Sequence, residues 1–297
     1  MNQHSRLYGL APGDAARLLV EAIPYVRRFA GKAVVVKLGG NAIDHRLDQA
    51  LAQDVLLLRS VGVRCVVVHG GGPQIDATLK AFNIERKFQD GLRVTDAATL
   101  DIVRMTLVGK VNRDLVAKIN RETDDEPVAV GVSGEDGGLL VARQRDPALG
   151  FVGDVEMVRA SILKRLLDEE LVPVVSTVGA DRSGQPFNIN ADAAACAIAA
   201  AMGAEKLVYL TAAPGLLADP NDPESVITKL TAAEARTIVT RKSVSDGMIP
   251  KLTACVEAVE QGVGSAHILD GRIPHSLLIE MLTESGIGTM IAKEGVQ

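Results

Sequence analysis

Apolar residues follow two rhythms along this chain, and their alternation predicts the architecture. The runs AVVVK from Ala33 and RCVVVH from Arg64 are continuously apolar and β-branched, as strands buried on both faces of a sheet must be. Helical periodicity follows each run, over residues 50–58 and again from Pro73. Further strands are expected at PVAVGV, PVVSTV, KLVYL, AHILD and TMIA. Strands separated by helices indicate the α/β class, with a mainly parallel open sheet. Two stretches break the rhythm. ERKFQDGLRVT reads as a hairpin, and GLLVAR with GFVGDV as a second β excursion; such additions often line the substrate side of a sheet.

Ahead of the first strand, residues 14–29 place Ala16, Leu18, Leu19, Ala22, Ile23 and Val26 on one helical face, with Asp14 as the N-cap. This helix lies outside the alternation, so its apolar face must find cover on its own domain or on another subunit. The pattern leaves both open. The weakest seam falls at residues 203–206, where an Ala-rich helix ends and a strand begins, and the lobe boundary is expected there.

Composition narrows the function classes. A formal net charge of -5 offers no basic face for nucleic acid, and the 47% hydrophobic content of the 297 residues is globular. The longest small-apolar run, residues 193–204, is shorter than the roughly 18 residues a membrane span needs. MNQHSRLYGLAPGD lacks the basic-then-apolar build of a signal peptide, so a cytoplasmic setting is expected. Cys65, Cys196 and Cys255 are odd in number and set in apolar runs, as buried thiols would be, and no zinc spacing occurs.

Two glycine clusters follow strands directly, KLGG at 37–40 and HGGGP at 69–73. Glycine lets phosphate or carboxylate oxygens approach the backbone, and a following helix N-terminus adds positive potential. Neither cluster is a standard nucleotide fingerprint, and either could simply make a tight turn. Lys37, at the end of an apolar strand, would point a cation into the crevice where such sheets bind ligands, unless it snorkels to solvent. Asp192 follows FNINA at the start of an apolar helix, where an N-cap is the plain reading. Lys251 opens a helix after Pro250, against the dipole. The strand-end loop 211–215, with its Pro and Gly, suits a phosphate or adenine site. His69 borders a glycine cluster and reads as support for it rather than as a proton carrier.

Taken together and in order, KLGGNAI, VVVHGGGPQID, GLRVTD, NINAD, DGMIPK and SAHILDGRIPHS resemble the amino-acid-kinase family, and within it the members that phosphorylate N-acetyl-L-glutamate. The resemblance runs from about Leu18 to Ile291. It implies a three-layer α/β/α sandwich, with residues 1–30 as a helical oligomerisation extension, 31–204 as the acetylglutamate lobe and 205–297 as the nucleotide lobe. By that match Lys37 and Lys251 act on the transferring phosphoryl group and Asp192 holds their geometry. Gly71, Gly72, Arg93, Asn188 and Asn190 hold the acceptor. Gly39, Gly40, Thr211 and Gly215 hold the nucleotide, and Mg²⁺ is carried mainly by nucleotide and water; MgATP is the co-substrate, with no prosthetic group. Relatives commonly carry Asp or Asn where this chain has Ala212. The N-terminal helix and the SAHILDGR segment imply a homohexamer, a trimer of dimers, inhibited by L-arginine through Tyr25, His267, Glu280 and Gly288. Taken alone, the helical position of Glu280 reads as a solvated face. Two alternatives stay open: a related carboxylate kinase, and a catalytically weak arginine-sensing or partner-binding homologue.

Overall fold

The computed structural model describes residues 12–39, 45–89, 91–123, 126–219, 221–241, 244, 247–284 and 286–294. The β-branched runs become one sheet. Its strands are β1 (Ala33–Leu38), β2 (Arg64–His69), β3 (Ala129–Ser133), β4 (Val172–Ser176), β5 (Lys206–Thr211), β6 (Lys229–Thr231), β7 (Ser265–Asp270) and β8 (Thr289–Ala292). Their order is β6-β8-β7-β5-β1-β2-β4-β3. All neighbours are parallel except β7 and β8.

Helices cover both faces, as continuous apolar strands require. They are α1 (Pro12–Phe29), α2 (His45–Ser60), α3 (Gly72–Ala81), α4 (Ala97–Arg104), α5 (Asn112–Arg121), α6 (Ser161–Asp168), α7 (Ala191–Met202), α8 (Ala232–Arg241), α9 (Ile249–Glu260) and α10 (Ser276–Leu282). Strand parity sorts the core. Val35, Val66, Val68 and Val175 pack with Ile198 of α7 and Leu252 of α9, while Val34, Val36, Val67 and Val174 pack with Val55 of α2 and Leu115 of α5. Each fully buried valine of β1 contributes roughly 1.5–3 kcal/mol of transfer free energy, so the centre of the sheet anchors the fold. The result is the expected three-layer α/β/α sandwich.

Three local expectations change. Helix α1 starts at Pro12, so Asp14 lies inside the first turn instead of capping it; proline suits a helix start, and the carboxylate there still complements the dipole. The run PVVSTV does not make a single strand: β4 ends at Ser176, and Val178–Ala180 joins a second sheet. That sheet is the predicted excursion in fuller form. Leu140–Gln144, Val152–Val158, Val178–Ala180 and Pro186–Ile189 close into a small barrel, which grows from the ends of β3 and β4 and delivers the chain into α7. The predicted hairpin pairs Phe88 with Arg93 and Gln89 with Leu92.

The seam at 203–206 is a turn through Gly203, left-handed at φ 60°, after which β5 pairs directly with β1 and one sheet runs across it. All three cysteines are free and buried. No described helix is long and apolar enough to cross a membrane.

Candidate active site

The C-terminal ends of β1 and β5 meet the start of α7. Lys37, near the end of β1, is buried instead of snorkelling, and its Nζ lies 2.6 Å from Asp192 Oδ1. Lys251, in the first turn of α9, brings its Nζ to 3.5 Å from Asp192 Oδ2 and donates to the Gly247 carbonyl at 3.2 Å. The cap reading of Asp192 fails, because Asn190 is the N-cap: its Oδ1 accepts from the N–H of Asp192 at 2.9 Å and of Ala193 at 3.1 Å. Burial pushes the Asp192 carboxyl up, but the Lys37 and Lys251 ammonium groups overcome this and hold its pKa below the ordinary value. Asp192 is therefore an anion bridging two cations. Lys251 stays partly open, with 24% of its side chain exposed against 7% for Lys37, so the constellation can admit a further anion. Gly39 continues from β1, donates its N–H to the Leu210 carbonyl at 3.1 Å, and ties this loop to the end of β5. Gly40 lies outside the described residues.

The second glycine cluster is built from below by His69. Its Nδ1 donates to the Gly70 carbonyl at 2.9 Å, and its Nε2 accepts from Asn112 Nδ2 at 3.1 Å, while the same amide donates to the Val174 carbonyl. Burial lowers the pKa of His69 to about 4, so the ring is neutral near pH 7 and supports the loop. At Gly71 a Cβ would fall 2.7 Å from Leu107 Cδ2, so any larger residue would require that side chain to shift. Gly72 opens α3, and a Cβ there would meet nothing within 4 Å, which leaves the helix N-terminus accessible.

Arg93, at the hairpin end, is 9% exposed, stacks its guanidinium 4.8 Å from the Phe88 ring centroid, and places Nη2 2.6 Å from Asp76 Oδ1 of α3. Its Nη1 is buried with no hydrogen-bond partner among the described residues, a donor available to a ligand acceptor. Asn188, on the last barrel strand, donates to Thr95 Oγ1 at 3.2 Å, and Thr95 in turn donates to the Arg93 carbonyl at 2.9 Å. Asn188 and Arg93 thus belong to one network, reached through Thr95. Asn190 is exposed, with its carbonyl oxygen engaged as the cap.

The loop after β5 is self-supporting. Thr211 Oγ1 accepts from the Ala213 N–H at 3.0 Å and donates to the Ala213 carbonyl at 3.1 Å. Gly215 has φ 148°, and a Cβ there would strike Thr289 Oγ1 at 2.8 Å. The side chain of Ala212 is exposed.

A separate cluster gathers three of the remaining candidates. His267, fully buried, sits with Nδ1 2.8 Å from Glu280 Oε1, and Ser265 Oγ lies 2.7 Å from its Nε2. Glu280 is not on a solvated face: its side chain is 10% exposed, and Lys206 Nζ lies 3.2 Å from its Oε1. The Ile287 N–H donates to Oε2 at 3.0 Å. Burial raises the carboxyl, but these partners dominate and hold its pKa down at about 2. Gly288 is left-handed at φ 83°, and a Cβ would lie 2.2 Å from the Ile268 carbonyl oxygen. Tyr25 is half-buried and packs on the core beneath α1.

Lys206, Asp76, Thr95 and Asn112 are site residues that the sequence patterns do not single out. Asp76 stands inside VVVHGGGPQID and Thr95 inside GLRVTD, so both motifs carried a signal; Lys206 and Asn112 lie in runs that give none.

Comparison with known proteins gives a consistent result. The chain is 49% identical over 284 residues to the acetylglutamate kinase of Thermosynechococcus vestitus, covering 95% of each, and 52% identical over 276 residues to that of Synechococcus sp. strain RCC307, covering 92% of each. Among solved structures, N-acetylglutamate synthase from Neisseria gonorrhoeae with coenzyme A and L-arginine superposes with a TM-score of 0.83 at 29% identity, over 94% of this chain and 65% of that one. The chain thus spans just under two thirds of the synthase. A carbamate kinase from Giardia, at 16% identity and TM-score 0.68, shares the fold. With the amino acid kinase family model matching residues 32–270, the chain belongs to the amino acid kinase family.

Proposed function

We propose that the protein transfers the γ-phosphoryl group of ATP to the side-chain carboxylate of N-acetyl-L-glutamate, giving N-acetyl-L-glutamyl 5-phosphate and ADP, as a cytoplasmic step of arginine biosynthesis. The observation that carries this reading is the convergence of Lys37 and Lys251 on Asp192, at 2.6 and 3.5 Å. Phosphoryl transfer spreads charge over three equatorial oxygens and needs positioned cations more than covalent chemistry. The two ammonium groups would neutralise those oxygens while Asp192 keeps the lysines at a fixed separation. No general base is required, because the acceptor carboxylate, with an ordinary pKa of about 4, is ionised at neutral pH.

The acceptor would lie over α3, with Gly71 and Gly72 offering backbone N–H groups and Arg93 Nη1 pairing with its α-carboxylate. Asn188 and Asn190 would hold its remaining polar atoms. The nucleotide would lie across Gly39 and residues 211–215. Mg²⁺ would be held mainly by the nucleotide and water. That ion would neutralise charge on the β- and γ-phosphates. Residues 31–204 would form the acceptor lobe and 205–297 the nucleotide lobe.

The cluster of His267, Glu280 and Gly288 would receive L-arginine, with Tyr25 of α1 beside it. Support comes from the arginine complex of the related synthase. Leu18, Leu19 and Ile23 of α1 are 52%, 73% and 44% exposed, which supports a second copy of the chain as their cover in a hexamer built as a trimer of dimers. ADP release with MgATP is the test, comparing N-acetyl-L-glutamate, L-glutamate and L-aspartate as acceptors, each with and without L-arginine. Turnover confined to the acetylated acceptor is expected, falling sigmoidally with arginine. Folded protein that turns over none of the three would overturn the activity, and indifference to millimolar arginine would overturn the regulation.

A further inference from the structure

We infer that Tyr209 is the positioning residue of Asp192, and that its hydroxyl sets the rate of transfer by fixing the main chain from which the carboxylate projects; this rests on the proposed role of Lys37, Asp192 and Lys251. Tyr209 is the fourth residue of β5 and is fully buried. It is the register partner of Lys37 in the neighbouring parallel strand, so both side chains leave the same face of the sheet. On that face Leu207 is purely apolar, and filling space would need no more than a phenylalanine.

A hydroxyl in such a core must find a partner. Tyr209 Oη donates to the main-chain carbonyl of Asp192 at 3.0 Å. Asp192 is thereby gripped at every polar point. Its N–H is held by the Asn190 cap at 2.9 Å, its carbonyl by Tyr209, and its carboxylate by Lys37 at 2.6 Å and Lys251 at 3.5 Å. The cap and the hydroxyl act on opposite ends of one residue. Together they prevent the first turn of α7 from rotating, a motion that would carry the carboxylate off the line between the lysines. Burial pushes the phenol pKa well above its usual value, so the group remains a donor throughout the working range.

Tyr209→Phe removes one oxygen and nothing else. A fall in kcat of about tenfold is expected, with the KM of acceptor and of ATP within about twofold of the parent, because misplacement of the carboxylate is felt in the transition state. In an Asp192→Asn background the same change should alter kcat little, since its effect passes through that carboxylate. Val208→Ala, on the opposite face of β5, is the control for destabilisation alone and should leave kcat unchanged. A second readout is independent of turnover: the ¹³C carboxyl titration of Asp192, assigned by its disappearance in Asp192→Asn, should move to higher pH in Tyr209→Phe. Parental kcat with an unmoved titration overturns the inference, as does a kcat loss that adds fully to that of Asp192→Asn. If the parent fails to turn over N-acetyl-L-glutamate, the activity reading falls, and the titration still decides the role of Tyr209.

Discussion

Asp192 and Glu280 are two solutions to the same physical problem, a carboxylate taken out of water. Each meets a lysine on β1 or β5 and a second cationic or polar group from elsewhere, and each has its pKa held below the ordinary range against the push of burial. They differ in closure. Around Glu280, Lys206, His267 and the Ile287 N–H occupy both oxygens, and the lysine and carboxylate side chains are only 12% and 10% exposed. Around Asp192, Lys251 stands 3.5 Å away and 24% open. An ion network with one partner partly exposed to solvent can exchange contacts with a ligand anion at little cost, whereas a closed one yields only when a competing cation replaces a partner. The two proposed roles, transfer at Asp192 and arginine binding at Glu280, thus rest on the same kind of buried charge and differ in access.

The sharpest way to break the comparison is to remove the β-strand lysine from each cluster. If Lys37 neutralises the transferring phosphoryl oxygens as proposed, Lys37→Ala should lower kcat roughly a thousandfold. Lys206→Ala should leave kcat near the parent value in the absence of arginine and destabilise the fold by about 3–5 kcal/mol, the usual result of stranding a buried charge. Single-turnover rates and urea unfolding of both variants check this. Equal losses of kcat would erase the distinction between the clusters.

Acid offers a smaller effect. A carboxyl depressed to about 2 stabilises the fold at pH values above its unfolded pKa of about 4.5, and that contribution is lost as pH falls through the interval between them. For Glu280 it is on the order of 3 kcal/mol. The stability gap between parent and Glu280→Gln should therefore be constant from pH 7 to about 5 and narrow below the unfolded carboxylate value. His69 acts in a separate window: its folded pKa is about 4, so the unfolded state takes up the extra proton first, and stability declines as pH falls from about 6.5 toward 4. Urea unfolding across this range resolves the two. A gap that stays constant to pH 3 would show that Glu280 is not depressed.

How far the two clusters could be read from the chain follows from the same difference in closure. The strands AVVVK, RCVVVH and KLVYL, and the hairpin around Arg93, are local patterns, and they folded as their periodicity demanded. Lys37 and Lys251 are legible locally, the first because a strand-end lysine points into the crevice where such sheets bind ligands and the second because it opposes a helix dipole. By local pattern alone Glu280 is not, and only the family resemblance singles it out, since one face of α10 looks solvated until Lys206, 74 residues earlier, is brought against it. The choice of Asn190 over Asp192 as the cap was equally hidden, because either residue satisfies the local rule and only the distant lysines decide. The barrel shows the same limit. Val178–Ala180 continues an apolar run, and its departure from β4 depends on pairing with Pro186–Ile189 and a contact with Val141.

The smallest expected effect concerns Ala212, whose side chain is exposed. The loop around it needs no polar side chain there to keep its shape, because Thr211 Oγ1 ties it to Ala213 at 3.0 Å and Thr289 Oγ1 accepts from the Leu216 N–H at 2.8 Å. If backbone groups of that loop do the binding, Ala212→Asp adds one solvent-exposed hydrogen bond at most, about 0.5–1.5 kcal/mol. The KM for ATP should then fall between about two- and tenfold, with kcat unchanged. A larger gain, or a rise in kcat, would mean that the alanine leaves the nucleotide poorly held. In that case the open cluster at Asp192 would be limited by its substrate rather than by its lysines.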